Sequence, residues 1–200
     1  MLASTNEHFL STIRSKIRTV HALDAQKALQ CLEDANLKGV VVADDGIYDD
    51  ENSAVLSSLI GWVNAGGIAV IGCLFTAFIL WSKIDQFFEE WGLSWTMDAY
   101  TRENLVLNHS NRLSSSHSAN LTTSYCMKAI YLKGVKDEDV LYAPEEYEDD
   151  EEYHVSPPPL INLPHVSVAY TQIGDGFLGY IGDVNSGEET TSVILAMLRL

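Results

Sequence analysis

Two hundred residues with 46% hydrophobic and 10% aromatic content are enough for one domain with a full core, which excludes wholesale disorder. The 28 acidic and 12 basic residues leave a formal charge of −16, which argues against a nucleic-acid partner and against docking on an anionic membrane. Three cysteines, Cys31, Cys73 and Cys126, form no CxxC, so neither a disulfide framework nor a zinc knuckle is expected, and free thiols fit a reducing, cytoplasmic setting.

The opening MLASTNEHFLSTIRSKIR lacks an apolar h-region and a cleavage site and does not read as a signal peptide. Residues 1–5 hold at most a very short strand. Over 6–17, Phe9, Leu10, Ile13 and Ile17 recur at helical spacing behind Asn6 as N-cap. Residues 19–23 read as a short strand. Asp24 then caps a helix over 24–35 whose apolar face is Ala25, Ala28, Leu29 and Leu32.

Gly39–Ala43 is a continuous apolar run of the buried parallel-strand kind, ended by the turn Asp44-Asp45-Gly46. Val55, Leu56, Leu59, Ile60 and Val63 mark a helix over 52–65, stopped by Gly66-Gly67, and Ile68–Ile71 is a second buried strand. The run Ala65–Trp81 carries no charge, but it is shorter than the about 20 residues a spanning helix needs and is interrupted by glycines. It reads as strand, turn and helix start, with a further helix over 82–92 capped by Ser82 and closed by Gly92.

Strand-like segments follow at 95–107 and 124–132, separated by a polar loop over 108–123. Residues 145–152 hold seven acidic groups in eight, followed by Pro157–Pro159, within an acidic flexible loop spanning about 137–160. The chain then gives strands at 165–173 and 177–181 around the turn Gly174-Asp-Gly176, and a closing helix over 188–198. The sequons at Asn108 and Asn120 are short patterns of the kind that occur by chance.

This alternation predicts a single domain over 1–200: a three-layer, doubly wound, mostly parallel α/β sheet of flavodoxin-like type. Strands at 19–23, 39–43 and 68–71 should be adjacent and parallel.

Several stretches resemble the class I glutamine amidotransferase-like superfamily, including its ThuA-like branch. They are Trp62-Val-Asn-Ala-Gly-Gly67 running into Ile68–Ile71, the loop Ala43-Asp-Asp-Gly46, and Gly176-Phe-Leu-Gly-Tyr-Ile-Gly-Asp-Val-Asn185. Ile71-Gly-Cys-Leu-Phe75, together with Asp85–Gly92, also resembles uncharacterised fungal members of this group. The likeness spans about 20–95 and 165–200.

In that superfamily the nucleophile is a cysteine on a tight strand-to-helix elbow, and Cys73 falls at the matching place. The resemblance implies a thiolate attacking an amide, ester or aldehyde carbonyl. Backbone N–H groups at 73–75 or near Asp45-Gly46 would hold the oxyanion. Ile71 and Phe75 replace the elbow's usual glycines, Leu74 stands where a peptidase-like branch keeps histidine, and Gly182-Asp-Val-Asn185 holds no histidine base. The other reading of Cys73 is a small hydrophobe beside the core.

Asp183 and His165 are the remaining candidate catalytic groups. Asp44, Asp45, Gly46, Gly72, Leu74 and Asn185 would form the ligand-binding edge at the carboxyl ends of the strands. The carboxylates Asp44, Asp45, Asp49, Asp50 and Glu51 would bind a cation, act as a base, or simply form a solvated turn. None of the histidines His8, His21, His109, His117, His154 and His165 stands at HxH or HxxxH spacing, and GxGxxG, Walker and GxSxG motifs are absent, so neither metal nor cofactor is assigned.

The preferred reading is a degenerate, non-catalytic amidotransferase-like domain that binds a small molecule or a protein. A cysteine hydrolase or amidase using Cys73, and an interaction protein acting through its acidic loop, stay open beside it. The stripe Ile84, Phe87, Phe88 and Trp91, flanked by Trp81 and Trp95, suggests a homodimer through Phe88 and Trp91.

Overall fold

The computed structural model describes residues 7–113, 115–144 and 165–200. Helices α1 (Glu7–Lys16) and α2 (Ala25–Leu32) lead into strand β1 (Val40–Val42). Two 3-10 turns, Asp45–Tyr48 and Asp50–Asn52, precede α3 (Ser53–Asn64), β2 (Ile68–Ile71), the one-turn α4 (Phe75–Phe78) and α5 (Trp81–Glu90). The second half comprises β3 (Thr96–Leu107), α6 (Ser115–Ser118), β4 (Ser124–Lys133), β5 (Val140–Pro144), β6 (Val168–Ile173), β7 (Gly176–Ile181) and α7 (Glu188–Met197).

The seven strands lie in the order β1-β2-β7-β6-β5-β3-β4. Only β1, β2 and β7 are parallel, with Val41 opposite Val70 and Ile68 opposite Phe177. Every other pairing is antiparallel. The sheet is therefore mixed, not mostly parallel. The reason lies in the connections: β6 and β7 are joined by the tight turn at Gly174-Asp175, too short for a parallel crossover.

The antiparallel half curls back on itself. Ala129 of β4 bridges Asp183, and Leu132 bridges Val166. Ile130 N–H donates to the Gly182 carbonyl at 3.0 Å, and Val184 N–H to that of Lys128 at 3.2 Å. The chain can approach so closely because a Cβ on Gly182 would overlap the Ile130 carbonyl oxygen.

Residues 19–23 form no strand. Val20 and Leu23 are exposed, and β1 is the edge of the described sheet, so this segment gives neither burial nor ladder to support a strand. Asp24 does cap α2, accepting from Lys27 N–H at 2.7 Å. The next expected cap, Ser82, lies inside α5, which starts at Trp81 behind Leu80 and has no side-chain cap.

The acidic loop expected over about 137–160 is not a loop across its first residues. Residues 137–139 make a 3-10 turn and Val140–Pro144 is strand β5, whose first three residues are buried. The acidic run 145–152 and Pro157–Pro159 lie outside the described residues. The start of the polar 108–123 loop is pinned to that turn: Asn108 Nδ2 donates to the carbonyls of Asp137 (3.1 Å) and Val140 (3.0 Å), and the Arg112 guanidinium pairs with Glu138 and buried Asp139. Asp139 also accepts from Thr171 Oγ1 at 2.9 Å.

Two apolar layers cover the sheet. One packs Phe9 and Ile13 of α1 and the α7 face against Val70, Met127, Val168 and Tyr170. The other packs α3, α4 and α5 against Ile71, Ile130, Ala169 and Tyr180. Phe88 sits in this second layer with no exposed surface, its ring 5.1 Å from that of Trp95 and 5.4 Å from that of Tyr180. Trp91 is buried too. Phe88 and Trp91, the residues expected at a dimer contact, are thus buried within the chain, while Trp81 is exposed. Among the described residues, no helix is long and apolar enough to cross a membrane. Phe88→Ala should therefore cost about 3–5 kcal/mol in urea denaturation, the usual range for a buried phenylalanine. It should leave the sedimentation coefficient of the folded protein unchanged; a shift from dimer to monomer would restore the interface reading.

Candidate functional site

The carboxyl ends of β1, β2 and β7 bring together the residues that the sequence singled out. Cys73 follows β2 and has φ +58°, a left-handed backbone rare for a residue with a Cβ. That is the geometry of a strand-to-helix elbow. Yet Cys73 is only 2% exposed and belongs to the buried cluster that includes Met127, Ala129 and Ile181. Burial, reinforced by the negative charge of Asp183, pushes its thiol up to about 12.

Four backbone donors around this elbow are engaged. Leu74 N–H donates to the Ala43 carbonyl at 2.9 Å, Phe75 N–H to Gly72 at 3.1 Å, and Gly72 N–H to Val42 at 3.1 Å. Gly46 N–H donates to Asp44 Oδ1 at 3.1 Å. An oxyanion formed beside Cys73 would have to displace these bonds before it could receive their protons.

Asp183 is buried, and its carboxylate accepts from Asn185 N–H at 2.8 Å, Gly187 N–H at 3.1 Å and the Thr190 hydroxyl. It thereby orders the turn into α7, whose N-cap, Gly187, offers no side chain of its own. Thr76 Oγ1 ties the elbow to this turn, donating to the Asp183 carbonyl at 2.9 Å. Thr76 and Thr190 were missed by sequence reasoning: Thr76 lies 107 positions from Asp183, so no local pattern announces their contact.

His165 is engaged elsewhere. Its Nδ1 lies 3.3 Å from Asp98 and its Nε2 3.4 Å from Glu103, while its ring packs 4.7 Å from that of Tyr131. These partners belong to the β3–β4 hairpin. Asp45 stands in the first 3-10 turn, where Asn52 Nδ2 donates to the Gly46 carbonyl at 2.7 Å. Asp44 caps that turn, and Asp49 and Asp50 form its continuation. Among the described residues, no group of three or more His, Cys, Asp or Glu side chains is arranged to hold a metal. What the edge offers chemically is one protonated thiol, one saturated carboxylate and two short acidic turns.

The fold defines an α/β domain of three layers built on a mixed seven-stranded open sheet. A solved structure similar to it is that of a "putative thua-like protein" from Bacteroides uniformis ATCC 8492, with a TM-score of 0.58 over 99% of this chain and 83% of that one, at 10% identity. At that identity the likeness is one of fold. No family model matches the chain, and no curated protein matches it.

The raised thiol has a thermodynamic consequence. The folded state keeps a proton on Cys73 that the unfolded chain releases near pH 9, so stability must fall as pH climbs from about 9 toward 12. One such group contributes a slope of about 1.4 kcal/mol per pH unit in that window. Tyr125 and Tyr142, raised chiefly by burial, add declines of their own in parent and variant alike. Urea unfolding at stepped pH above 9 should give a shallower decline for Cys73→Ala than for the parent; parallel declines would mean an ordinary, accessible thiol.

Proposed function

We propose that the chain is a non-catalytic member of the amidotransferase-like fold, which binds a small molecule or a protein without transforming it. The observation that carries this reading is the state of Cys73: buried, its thiol pushed up to about 12, on an elbow where the Gly72, Leu74 and Phe75 N–H groups are bonded internally. A thiol so held is almost wholly protonated at neutral pH and is a poor nucleophile. The bonding of the Asp183 carboxylate to its own turn and of His165 to Asp98 and Glu103 supports the same reading, since neither side chain is bonded to the Cys73 thiol.

The alternative, a cysteine hydrolase or amidase, is favoured by one specific observation, the positive φ of Cys73. Strained backbone at a nucleophile is a feature of working elbows. The likeness to a ThuA-like protein is compatible with both readings.

Alkylation separates them. With iodoacetamide at neutral pH and peptide mapping, exposed Cys126 should label first, half-buried Cys31 next and Cys73 last. The lag of Cys73 behind Cys126 should reach about three orders of magnitude, because each unit of raised pKa removes about tenfold of thiolate. Preferential labelling of Cys73 would overturn the non-catalytic reading in favour of the hydrolase.

A further inference from the structure

The link between α4 and α5 and the outer face of the β3–β4 hairpin form one exposed surface. Four of the eight large apolar side chains exposed among the described residues lie on it: Phe78, Leu80 and Trp81 around the link, and Tyr100 on β3. The Trp81 and Tyr100 rings sit 5.4 Å apart, and Lys128 Nζ lies 4.8 Å from the centre of the Tyr100 ring. We infer that this surface docks a short acidic segment of a partner protein, one that also carries bulky apolar side chains.

Three observations point to that partner. The first is the clustering. Single exposed apolar side chains are ordinary on a folded domain, whereas a contiguous group of them marks an interaction surface. The core takes Ile84, Phe87 and Phe88 of α5 and leaves Trp81, at the start of the same helix, 52% exposed. Two backbone-level ties hold the link and the hairpin together: Thr76 Oγ1 donates to the Asp183 carbonyl at 2.9 Å, and Val184 N–H to that of Lys128 at 3.2 Å.

The second is charge. Arg102 of β3 stands directly opposite Lys128 of β4. Like charges directly opposite on neighbouring strands cost stability, and an anion brought from outside relieves that cost. Neither cation forms an ion pair among the described residues, in a chain whose 28 acidic residues outnumber its 12 basic ones.

The third is that the neighbouring carboxylates are committed. Asp98 lies 3.8 Å from Lys133 and 3.3 Å from His165, Glu103 lies 3.4 Å from His165, and Asp85 accepts from Met97 N–H at 2.8 Å. Glu103 follows Arg102 in the strand and so belongs to the opposite face of the hairpin. The occupant must therefore supply both carboxylates for Arg102 and Lys128 and apolar groups for the aromatic pair. A second copy docked face to face would set these cations against their own equivalents. A nucleic-acid strand would feel the whole formal charge of −16, whereas a short segment is screened from all but its surroundings beyond about 8 Å at physiological ionic strength.

A partner of this kind deepens the proposed binding role and rests on it. The two are decided separately, since labelling of Cys73 reports on the edge and the following titration does not involve that thiol. The 15N-labelled full chain is titrated at physiological ionic strength with the synthetic peptide EDDLFEDE, followed through the tryptophan indole N–H signals, with Trp81→Phe to assign that of Trp81. The peptide should move the Trp81 signal saturably and the other three indoles less. Its neutral counterpart QNNLFQNQ and its apolar-depleted counterpart EDDSSEDE should each bind at least about tenfold more weakly. Arg102→Gln, which removes one member of a like-charged pair on an exposed face, should weaken binding of EDDLFEDE about threefold, and the double variant with Lys128→Gln about tenfold, as expected for exposed ion pairs. A Trp81 signal unmoved at about 2 mM peptide, which would saturate a contact of roughly 0.2 mM Kd, would overturn the inference. So would equal binding of either counterpart, or a response unchanged in the double variant. Oligothymidylate moving the Trp81 signal where the peptide does not would assign the surface to nucleic acid instead, and self-association of the parent that is lost in Trp81→Ala would assign it to a second copy.

Discussion

Backbone pairing between β4 and the end of β7 is the constraint on which the rest of the molecule depends. Open α/β sheets leave a crevice beyond the carboxyl ends of their strands, and ligands bind there. Here β4 runs across that place, bonded to Gly182 and Val184 on one stretch and to Val166 on another. The pairing brings Met127 and Ala129 into the same buried cluster as Cys73, so the elbow that would face solvent faces a core. Burial then raises the thiol, and Asp183, held at the same junction, raises it further. The burial of the edge is thus a consequence of how the antiparallel half closes, more than of any one side chain.

How much of this the sequence announces depends on the range of the interaction. The helices over 7–16, 53–64 and 188–197 and the strands at 40–42, 68–71 and 176–181 are written in local periodicity and in runs of apolar residues, and they were legible. Strand β5 was not: five residues beside an acidic run carry too little pattern, and Val140, Leu141 and Tyr142 earn their strand from neighbours on β3 and β6. The segment 19–23 misled in the opposite direction, since its apolar residues find no partner strand. Phe88 looked surplus because one ring that covers it, Tyr180, comes from β7, some ninety positions along the chain. At the candidate site, the position of Cys73 was legible from the strand and glycine before it. Its burial was not, because that is decided by residues 127–132, far along the chain.

Cys73 also carries a backbone cost. A left-handed backbone at a residue bearing a Cβ costs roughly 1–2 kcal/mol. The structure meets that cost with the Thr76 hydroxyl, which bonds the Asp183 carbonyl, and with Leu74 N–H, which bonds back to Ala43. These contacts knit β1, β2 and the turn before α7 into one junction. The elbow therefore serves as a structural corner of the sheet.

The position of β2 carries a consequence for the order in which the protein assembles. More than a hundred residues separate Ile68 from its partner Phe177, whereas β3 and β4 are joined through the 108–123 segment alone and register along almost their whole length. Local hairpins close quickly, and distant pairings wait on loop closure. A chain emerging from the ribosome can form the β3–β4 hairpin long before residues 166–184 exist to complete the centre of the sheet. Until they arrive, β2 has β1 on one side and an open apolar edge on the other, which makes the half-made chain a natural client for chaperones that shield unpaired strands.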